Sequence, residues 1–258
     1  LKKKTMTFKE LHEQDQPLLI GNVWDVASTR VAESLGFQAL GTSSAAIAAM
    51  LGYQDGEIIS FEELYFIVQR IARNSALPLS VDLEAGYADH ASRIMEHIRK
   101  LMDIGVVGIN LEDSRVWQKR ALQPPEQFSR LLEQIKNYVE QQNQALFLNI
   151  RTDTYLLNHP QALEETKNRI GLYENAGADG ISIPGLREEN AIKQLSSFTS
   201  LPLNIMCFPG LADFESLQVW GVKRISMGNF AFQMMYQHLS EDLSKVRQQQ
   251  SFNVFLQA

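Results

Sequence analysis

Asp82, Glu84 and Glu112 are the residues whose types and spacing point most directly to chemistry. Asp82 and Glu84 lie two apart in Asp82-Leu83-Glu84-Ala85-Gly86-Tyr87, just past an apolar run. On a strand, that spacing sends both side chains to one face. Glu112 closes the next apolar run, in Asn110-Leu111-Glu112-Asp113-Ser114. Three neighbouring carboxylates repel one another unless a cation lies among them. Oxygen donors of this kind suit a hard divalent ion, Mg²⁺ or alternatively Mn²⁺. The competing reading is helix capping, because Asp and Glu favour the first turn. It explains any one of the three more easily than the set.

Arg151 ends another apolar run, in Arg151-Thr152-Asp153. A cation there is costly to bury unless paired. It should meet either a substrate carboxylate or 2-oxo group in a two-point fork, or Asp153 or Glu112 in a salt bridge. Thr42-Ser43-Ser44-Ala45-Ala46 is a run of small residues that lets backbone N–H groups approach a ligand oxygen. Its plainer reading is a helix start capped by Ser. Asn204 belongs to a further strand-end cluster, and Trp24 follows the first apolar run, where it is expected to line the same rim.

The elements that must position these residues alternate regularly. Short apolar runs at 18–23, 38–43, 79–83, 106–111, 145–150, 180–183, 203–207 and 223–227 read as strands buried on both faces. Helical patterns follow at 26–35, 61–74, 91–104, 126–142, 160–176, 188–196, 212–220 and 230–248. Ile94, Ile98, Leu101 and Met102 make one apolar helix stripe. Gly36, Gly105, Gly177 and Gly221 each follow a helix, where a left-handed cap is wanted. The pattern predicts an α/β fold, a single-domain (β/α)₈ TIM barrel, with 1–16 as an N-terminal segment and 249–258 as a tail. Acidic residues ending parallel strands then converge on one rim.

A chain of 258 residues suits one such barrel. Its net charge of -6 argues against broad nucleic-acid or anionic-membrane binding. An anionic substrate remains compatible, because a metal and a buried Arg reverse the local field. Cys207 is the one cysteine, so no intrachain disulfide forms and a cytoplasmic setting is expected. No apolar run approaches a bilayer span. The basic start, Leu1-Lys2-Lys3-Lys4-Thr5-Met6, lacks a signal-peptide core and reads as a frayed end or a cloning remnant. The five histidines, His12, His90, His97, His159 and His238, fall on predicted loops or helix surfaces.

With these residues in view, the chain resembles the isocitrate lyase and phosphoenolpyruvate mutase superfamily. The resemblance runs from Gly21-Asn22-Val23-Trp24-Asp25 to Ser226-Met227-Gly228. It rests on Ser43 with Asp55, on Asp82-x-Glu84-x-Gly86-Tyr87, on Asn110-x-Glu112-Asp113 and on Arg151-Thr152-Asp153. Pro202-Leu203-Asn204-Ile205-Met206, with Pro209-Gly210, looks like the mutase-like branch. The resemblance implies Mg²⁺ bound directly by Asp82, with Asp55, Glu84 and Glu112 coordinating largely through waters. It implies Arg151 on the substrate carboxylate, and Ser43 with the backbone of Ser44 and Ala45 cradling a 2-oxo acid. It also implies an enolate intermediate, a final helix that swaps between subunits, and a homodimer or homotetramer.

The departures bear on activity. Isocitrate-type lyases carry a Cys acid/base on the loop after strand four. Here that loop reads Gln118-Lys119-Arg120-Ala121-Leu122-Gln123-Pro124, and Ala121 has no proton to give. The mutase loop Asn is missing too. What the loop still permits is cleavage, decarboxylation or hydrolysis of a small 2-oxo (di)carboxylic acid, with Lys119 or Arg120 closing over a distal carboxylate. A phosphonomutase, a methylisocitrate-type lyase and a silent 2-oxo acid-binding protein are the alternatives. A Schiff-base aldolase is disfavoured, because Lys223 begins strand eight at the wrong end.

Overall fold

Strand-forming runs alternate with amphipathic helices, and the alternation closes on itself. In the computed structural model, which describes residues 6–116 and 118–256, the strands are β1 (Leu18–Val23), β2 (Ala39–Thr42), β3 (Leu79–Asp82), β4 (Gly108–Glu112), β5 (Ser114–Val116), β6 (Arg120–Leu122), β7 (Phe147–Arg151), β8 (Gly180–Ser182), β9 (Leu203–Met206) and β10 (Arg224–Ser226). Eight of them form a closed parallel barrel in the order β1-β2-β3-β4-β7-β8-β9-β10. The remaining pair, β5 and β6, is an antiparallel hairpin inserted after β4. The expected TIM barrel is therefore observed. The hairpin is a finding, since its two short strands were read as loop.

The helices are α1 (Val26–Ser34), α2 (Ser44–Met50), α3 (Phe61–Arg73), α4 (Ala91–Asp103), α5 (Pro125–Gln141), α6 (Ala162–Asn175), α7 (Glu189–Phe198), α8 (Phe214–Val219), α9 (Phe230–Gln249) and α10 (Asn253–Leu256). Local signals fix their ends. Ser60 and Glu63 form a reciprocal capping box at the start of α3. Gly36, Gly105, Gly177 and Gly221 all have φ between +79° and +93°, as the cap reading required. The predicted stripe of α4 is buried. Ile109, Leu111, Leu148, Ile150 and Ile181 pack with such stripes into one continuous core.

A second, smaller core closes the N-terminal mouth of the barrel. Phe8, Leu11, Leu18, Ile20, Ala39 and Phe147 form it. A short 3₁₀ turn, Glu10–His12, lays His12 across this mouth, stacked on Phe147 at 4.2 Å. His12 Nδ1 lies 2.8 Å from the Phe8 carbonyl, and burial with nearby Arg224 pushes its pKa down to about 3. His97 is buried as well, stacked on Phe61 at 3.8 Å with Nδ1 3.0 Å from the Gly86 carbonyl. The surface expectation for these two histidines is corrected: each ring finds one backbone partner and an aromatic face.

The C-terminal helix α9 buries only Phe232. Met234, Met235, Tyr236 and Leu239 stay exposed, so they do not pack on their own barrel. Among the described residues, no helix is long and apolar enough to cross a membrane. The basic start at 1–5 and the last two tail residues, 257–258, lie outside the described residues.

Candidate active site

The carboxylates meet at the C-terminal rim, but not by the expected route. β3 ends at Asp82, and Glu84 is not on the strand at all. It sits in the following turn with φ +47°, and Tyr87 ends that turn at φ +56°. Such left-handed backbone in non-Gly residues is uncommon and must be held by its surroundings. Here Tyr87 N donates to Glu57 Oε1 at 2.6 Å, and the Tyr87 hydroxyl donates to Glu84 Oε1 at 2.5 Å. The alternation argument for Asp82 and Glu84 is therefore replaced by a turn that folds Glu84 back toward the rim.

Asp82 is joined to Asp55 through Ser44. Ser44 Oγ donates to Asp82 Oδ2 at 2.8 Å and lies 3.4 Å from Asp55 Oδ1. Ser43 does something different: its Oγ caps α2 by accepting from Ala46 N at 3.3 Å. The helix-start reading thus holds for Ser43. Ser44 is the hydroxyl that touches carboxylates, and Ala45 is half-buried beside it.

Glu112 and Asp153 enclose Arg151. Arg151 Nε donates to Asp153 Oδ1 at 2.7 Å and Nη2 to Oδ2 at 3.2 Å. Nη1 forms an ion pair with Glu112 Oε2 at 2.9 Å. The salt-bridge expectation is met with both acids at once. Asp153 takes two of the five guanidinium hydrogens, and the Glu112 contact is an ion pair without hydrogen-bond geometry. A second guanidinium reaches in from the hairpin. Arg120 Nη1 bonds Glu112 Oε1 and Ser114 Oγ, the latter at 3.0 Å, and lies 3.4 Å from Asp153 Oδ2. Its Nη2 lies 3.4 Å from Asp55 Oδ2. Lys119 is exposed, so the expected pair separates: only Arg120 points into the site.

The electrostatics follow from this crowding. Burial, then the charge of Asp55, pushes Glu84 up to about 9, against the Tyr87 hydrogen bond. Burial raises Glu112 despite Arg151. Burial and Asp82 raise Asp55. Burial alone would raise Asp153 too, but the Arg151 guanidinium holds it below the usual carboxylate range. Glu84 Oε2 is buried with no hydrogen-bond partner.

Would a divalent cation fit? The donors are all hard oxygens. Two buried carboxylate oxygens, Glu84 Oε2 and Glu112 Oε2, lack a hydrogen-bond partner. Asp55, Asp82, Glu84, Glu112 and Asp153 face Arg120, Arg151 and, from within the barrel, Arg224, which leaves two negative charges uncompensated when all are ionised. Among the described residues, however, no three Asp, Glu, His or Cys side chains converge as a ready-made metal cage. These facts suit a small ion that keeps several waters, with one direct protein carboxylate, better than a fully protein-ligated one.

Two expectations move away from the site. Asn204 is the second residue of β9, wholly buried inside the barrel, where it accepts from Asn149 Nδ2 at 3.2 Å and donates to Ser226 Oγ at 3.1 Å. It links neighbouring and facing strands, and none of its hydrogen bonds goes to a rim carboxylate. Trp24 packs edge-on against Phe232 of α9 at 5.3 Å and borders a mostly apolar cleft between α1 and α9. Its contacts are with the C-terminal helix.

Sequence reasoning also missed residues. Asp113 is fully buried, accepting from Arg169 Nη1 and from the Tyr173 hydroxyl, both at 2.8 Å, while its Oδ1 lies 3.2 Å from Asp153 N. It thereby fixes the backbone that carries Asp153. The available signal was Arg169 on the buried stripe of α6 with Thr166, Ile170 and Tyr173. Arg224, buried at the start of β10, donates from Nη2 to Asn110 Oδ1 at 3.3 Å, and an Arg opening a three-residue strand was its signal.

Comparison with known proteins agrees with this geometry. An uncharacterised protein of Mycobacterium tuberculosis is 30% identical over 229 residues, covering 88% of this chain and 83% of its own. The oxaloacetate decarboxylase of Pseudomonas entomophila is 28% identical over 240 residues, covering 87% and 78%. A solved protein of Burkholderia cenocepacia J2315, provisionally titled a phosphonomutase, superposes with a TM-score of 0.87 at 32% identity, covering 92% of this chain and 97% of that one. The phosphoenolpyruvate phosphomutase family matches residues 8–247. The chain belongs to that family.

Proposed function

We propose that this chain is a Mg²⁺-dependent lyase acting on a small 2-oxo dicarboxylic acid, with decarboxylation of an oxaloacetate-like diacid as the reaction its residues serve best. The observation that carries the reading is Arg151, clamped by Glu112 and Asp153 at the rim beside the Asp82–Ser44–Asp55 link. The similarity to an oxaloacetate decarboxylase supports it. Asp82 would hold Mg²⁺ (or Mn²⁺) directly, and Asp55, Glu84 and Glu112 would meet it largely through waters. Bound there, the ion supplies positive charge where a 2-oxo oxygen gains electron density.

The protein's own groups do the rest. The Arg151 Nη hydrogens that Asp153 does not take bind the carboxylate next to the 2-oxo group and fix its orientation. Ser43 holds the turn that presents Ser44 and Ala45 on the other side. Arg120 adds a cation that attracts a dianion. A cation gripping the departing carboxylate would oppose its loss as CO₂, so Arg120 recruits the substrate and does not hold the leaving group. One proton must then reach carbon. Ala121, exposed on the hairpin, offers none, so water supplies it. The exposed face of α9 favours a homodimer or homotetramer with α9 at the subunit contact.

The test is pyruvate release from a panel of oxaloacetate-like acids, with Mg²⁺ and with chelator. Metal-dependent release is expected, and equal rates under both conditions would sink the proposal. Oxalate and acetate as products would assign hydrolysis. Tight oxalate binding without turnover would assign the silent-binder reading, which Ala121 favours.

A further inference from the structure

We infer that Glu57 is a positioning residue for the ion set, fixing Asp55 relative to Glu84 through one hydrogen bond to the backbone of Tyr87. This rests on the metal reading above and adds a residue that the sequence signatures do not contain.

Asp55 and Glu84 reach the rim from different places. Asp55 lies in the segment between α2 and α3, and Glu84 in the turn after β3. Neither belongs to a strand, so the barrel ladder does not set their separation. Ser44 links the Asp55 segment to β3, but unequally. Its Oγ is 2.8 Å from Asp82 Oδ2 and 3.4 Å from Asp55 Oδ1, longer than an ordinary O–H···O bond. Glu57 makes a tighter link, its Oε1 accepting from Tyr87 N at 2.6 Å.

The backbone explains why this bond exists. Gly56 at φ +110° and Glu57 at φ +60° turn the chain between the two acids, so Asp55 meets Ser44 while Glu57 meets the turn. Gly56 sits so close to the hairpin that a Cβ there would lie 2.9 Å from Val116 Cγ2. Across from it, Glu84 at φ +47° and Tyr87 at φ +56° are left-handed as well. Tyr87 lies outside any strand, so its N–H needs an acceptor from elsewhere. Other contacts hold the same turn to other neighbours. Nδ1 of His97 on α4 lies 3.0 Å from the Gly86 carbonyl, and Arg115 Nη2 donates to the Ala88 carbonyl at 2.9 Å. Of these three contacts, only that of Glu57 comes from the Asp55 segment. With Glu57 shortened, the turn keeps its ties to α4 and β5 while Asp55 loses its register with Glu84. Residues that orient metal-binding groups in this way commonly carry about ten- to a hundredfold of metal affinity.

The test uses the whole chain and Mn²⁺, with binding read by electron paramagnetic resonance. Glu57→Ala is expected to weaken Mn²⁺ binding by about tenfold. Glu57→Gln keeps an acceptor oxygen at the same reach and should restore most of the affinity. Pyruvate release from oxaloacetate should divide the same way. In Glu57→Ala the Mg²⁺ concentration for half-activation should rise about tenfold, while turnover recovers at saturating Mg²⁺. A residue that only stabilised the fold would lower turnover at every Mg²⁺ concentration and leave the half-activation point in place. Wild-type Mn²⁺ affinity in Glu57→Ala would overturn the inference while the metal reading stands. Equal weakening in Glu57→Ala and Glu57→Gln would overturn it too, since the acceptor oxygen would not be what matters. No Mn²⁺ bound by the wild type would remove the metal reading and this inference with it. Should Glu57→Ala not fold, Glu57→Asp decides: its carboxylate stops one methylene short of Tyr87 N, so weakened binding supports the coupling and wild-type binding contradicts it.

Discussion

At the N-terminal mouth of the barrel, His12 stacks on Phe147 and Phe8 meets both edge-on, with the Arg224 guanidinium 5.9 Å from the Phe8 ring. At the C-terminal mouth, Asp55, Asp82, Glu84 and Glu112 influence one another's charge while Arg120 and Arg151 stand between them. Both mouths bury polar groups, but they resolve the cost differently. The first neutralises its histidine and covers it with aromatic surface. The second keeps like charges together. Both leave buried polar atoms without a hydrogen-bond partner: His12 Nε2 at the first, Glu84 Oε2 and Glu112 Oε2 at the second. Charges held against their own repulsion imply a ligand; a neutral, covered histidine implies packing.

The sharpest way to break this contrast is to mutate one residue at each mouth. Asp82→Ala should cost on the order of 10³- to 10⁴-fold in metal-dependent turnover, roughly 4–5 kcal/mol of barrier. Its metal-free melting temperature should hold or rise, because a repelling charge is gone. Phe147→Ala should do the reverse, losing about 3–4 kcal/mol of stability in denaturant titration while the folded fraction keeps its turnover. If Asp82→Ala destabilised the fold as Phe147→Ala does, the rim carboxylates would be structural.

A smaller effect is expected at Tyr87. Tyr87→Phe removes the hydroxyl that Glu84 accepts from, leaving both Glu84 carboxylate oxygens unpaired. A loss of about 1–2 kcal/mol, seen as weaker metal binding in calorimetry, should follow.

A pH series separates the two mouths. Glu84 rises from 4.5 to about 9 on folding, so the folded state holds the extra proton and metal-free stability should fall as pH climbs from about 4.5 towards 9. His12 falls from 6.5 to about 3, so the unfolded state holds the extra proton and stability should fall as pH drops from 6.5 towards 3. Mg²⁺ should flatten the alkaline limb. Melting curves across pH, with chelator and with Mg²⁺, check both, and Glu84→Gln and His12→Gln assign each limb to its mouth.

The barrel was legible because its signals are local and repeated: apolar runs, helical stripes and a glycine after four of the helices. The strand-end acids were legible for the same reason. Glu84 was placed correctly at the rim by an incorrect argument, since a left-handed turn and not strand alternation delivers it. Hairpin β5–β6 was hidden because three-residue strands carry too little alternation to read. The settings of Asn204, Trp24, His12 and His97 were not legible because their partners are distant in sequence: Asn149 and Ser226 across the barrel, Phe232 on α9, Phe147 at the start of β7, and Phe61 on α3. Burial by tertiary contact leaves no local trace.

The central claim is that the rim gathers a divalent ion and a 2-oxo acid side by side. Anomalous diffraction from crystals soaked with Mn²⁺ and oxalate tests it most directly. The account predicts a single strong peak about 2.1–2.3 Å from an Asp82 oxygen, with oxalate between that peak and Arg151. A rim without a peak at saturating Mn²⁺, or a peak bound only at surface carboxylates far from Asp82, would contradict it.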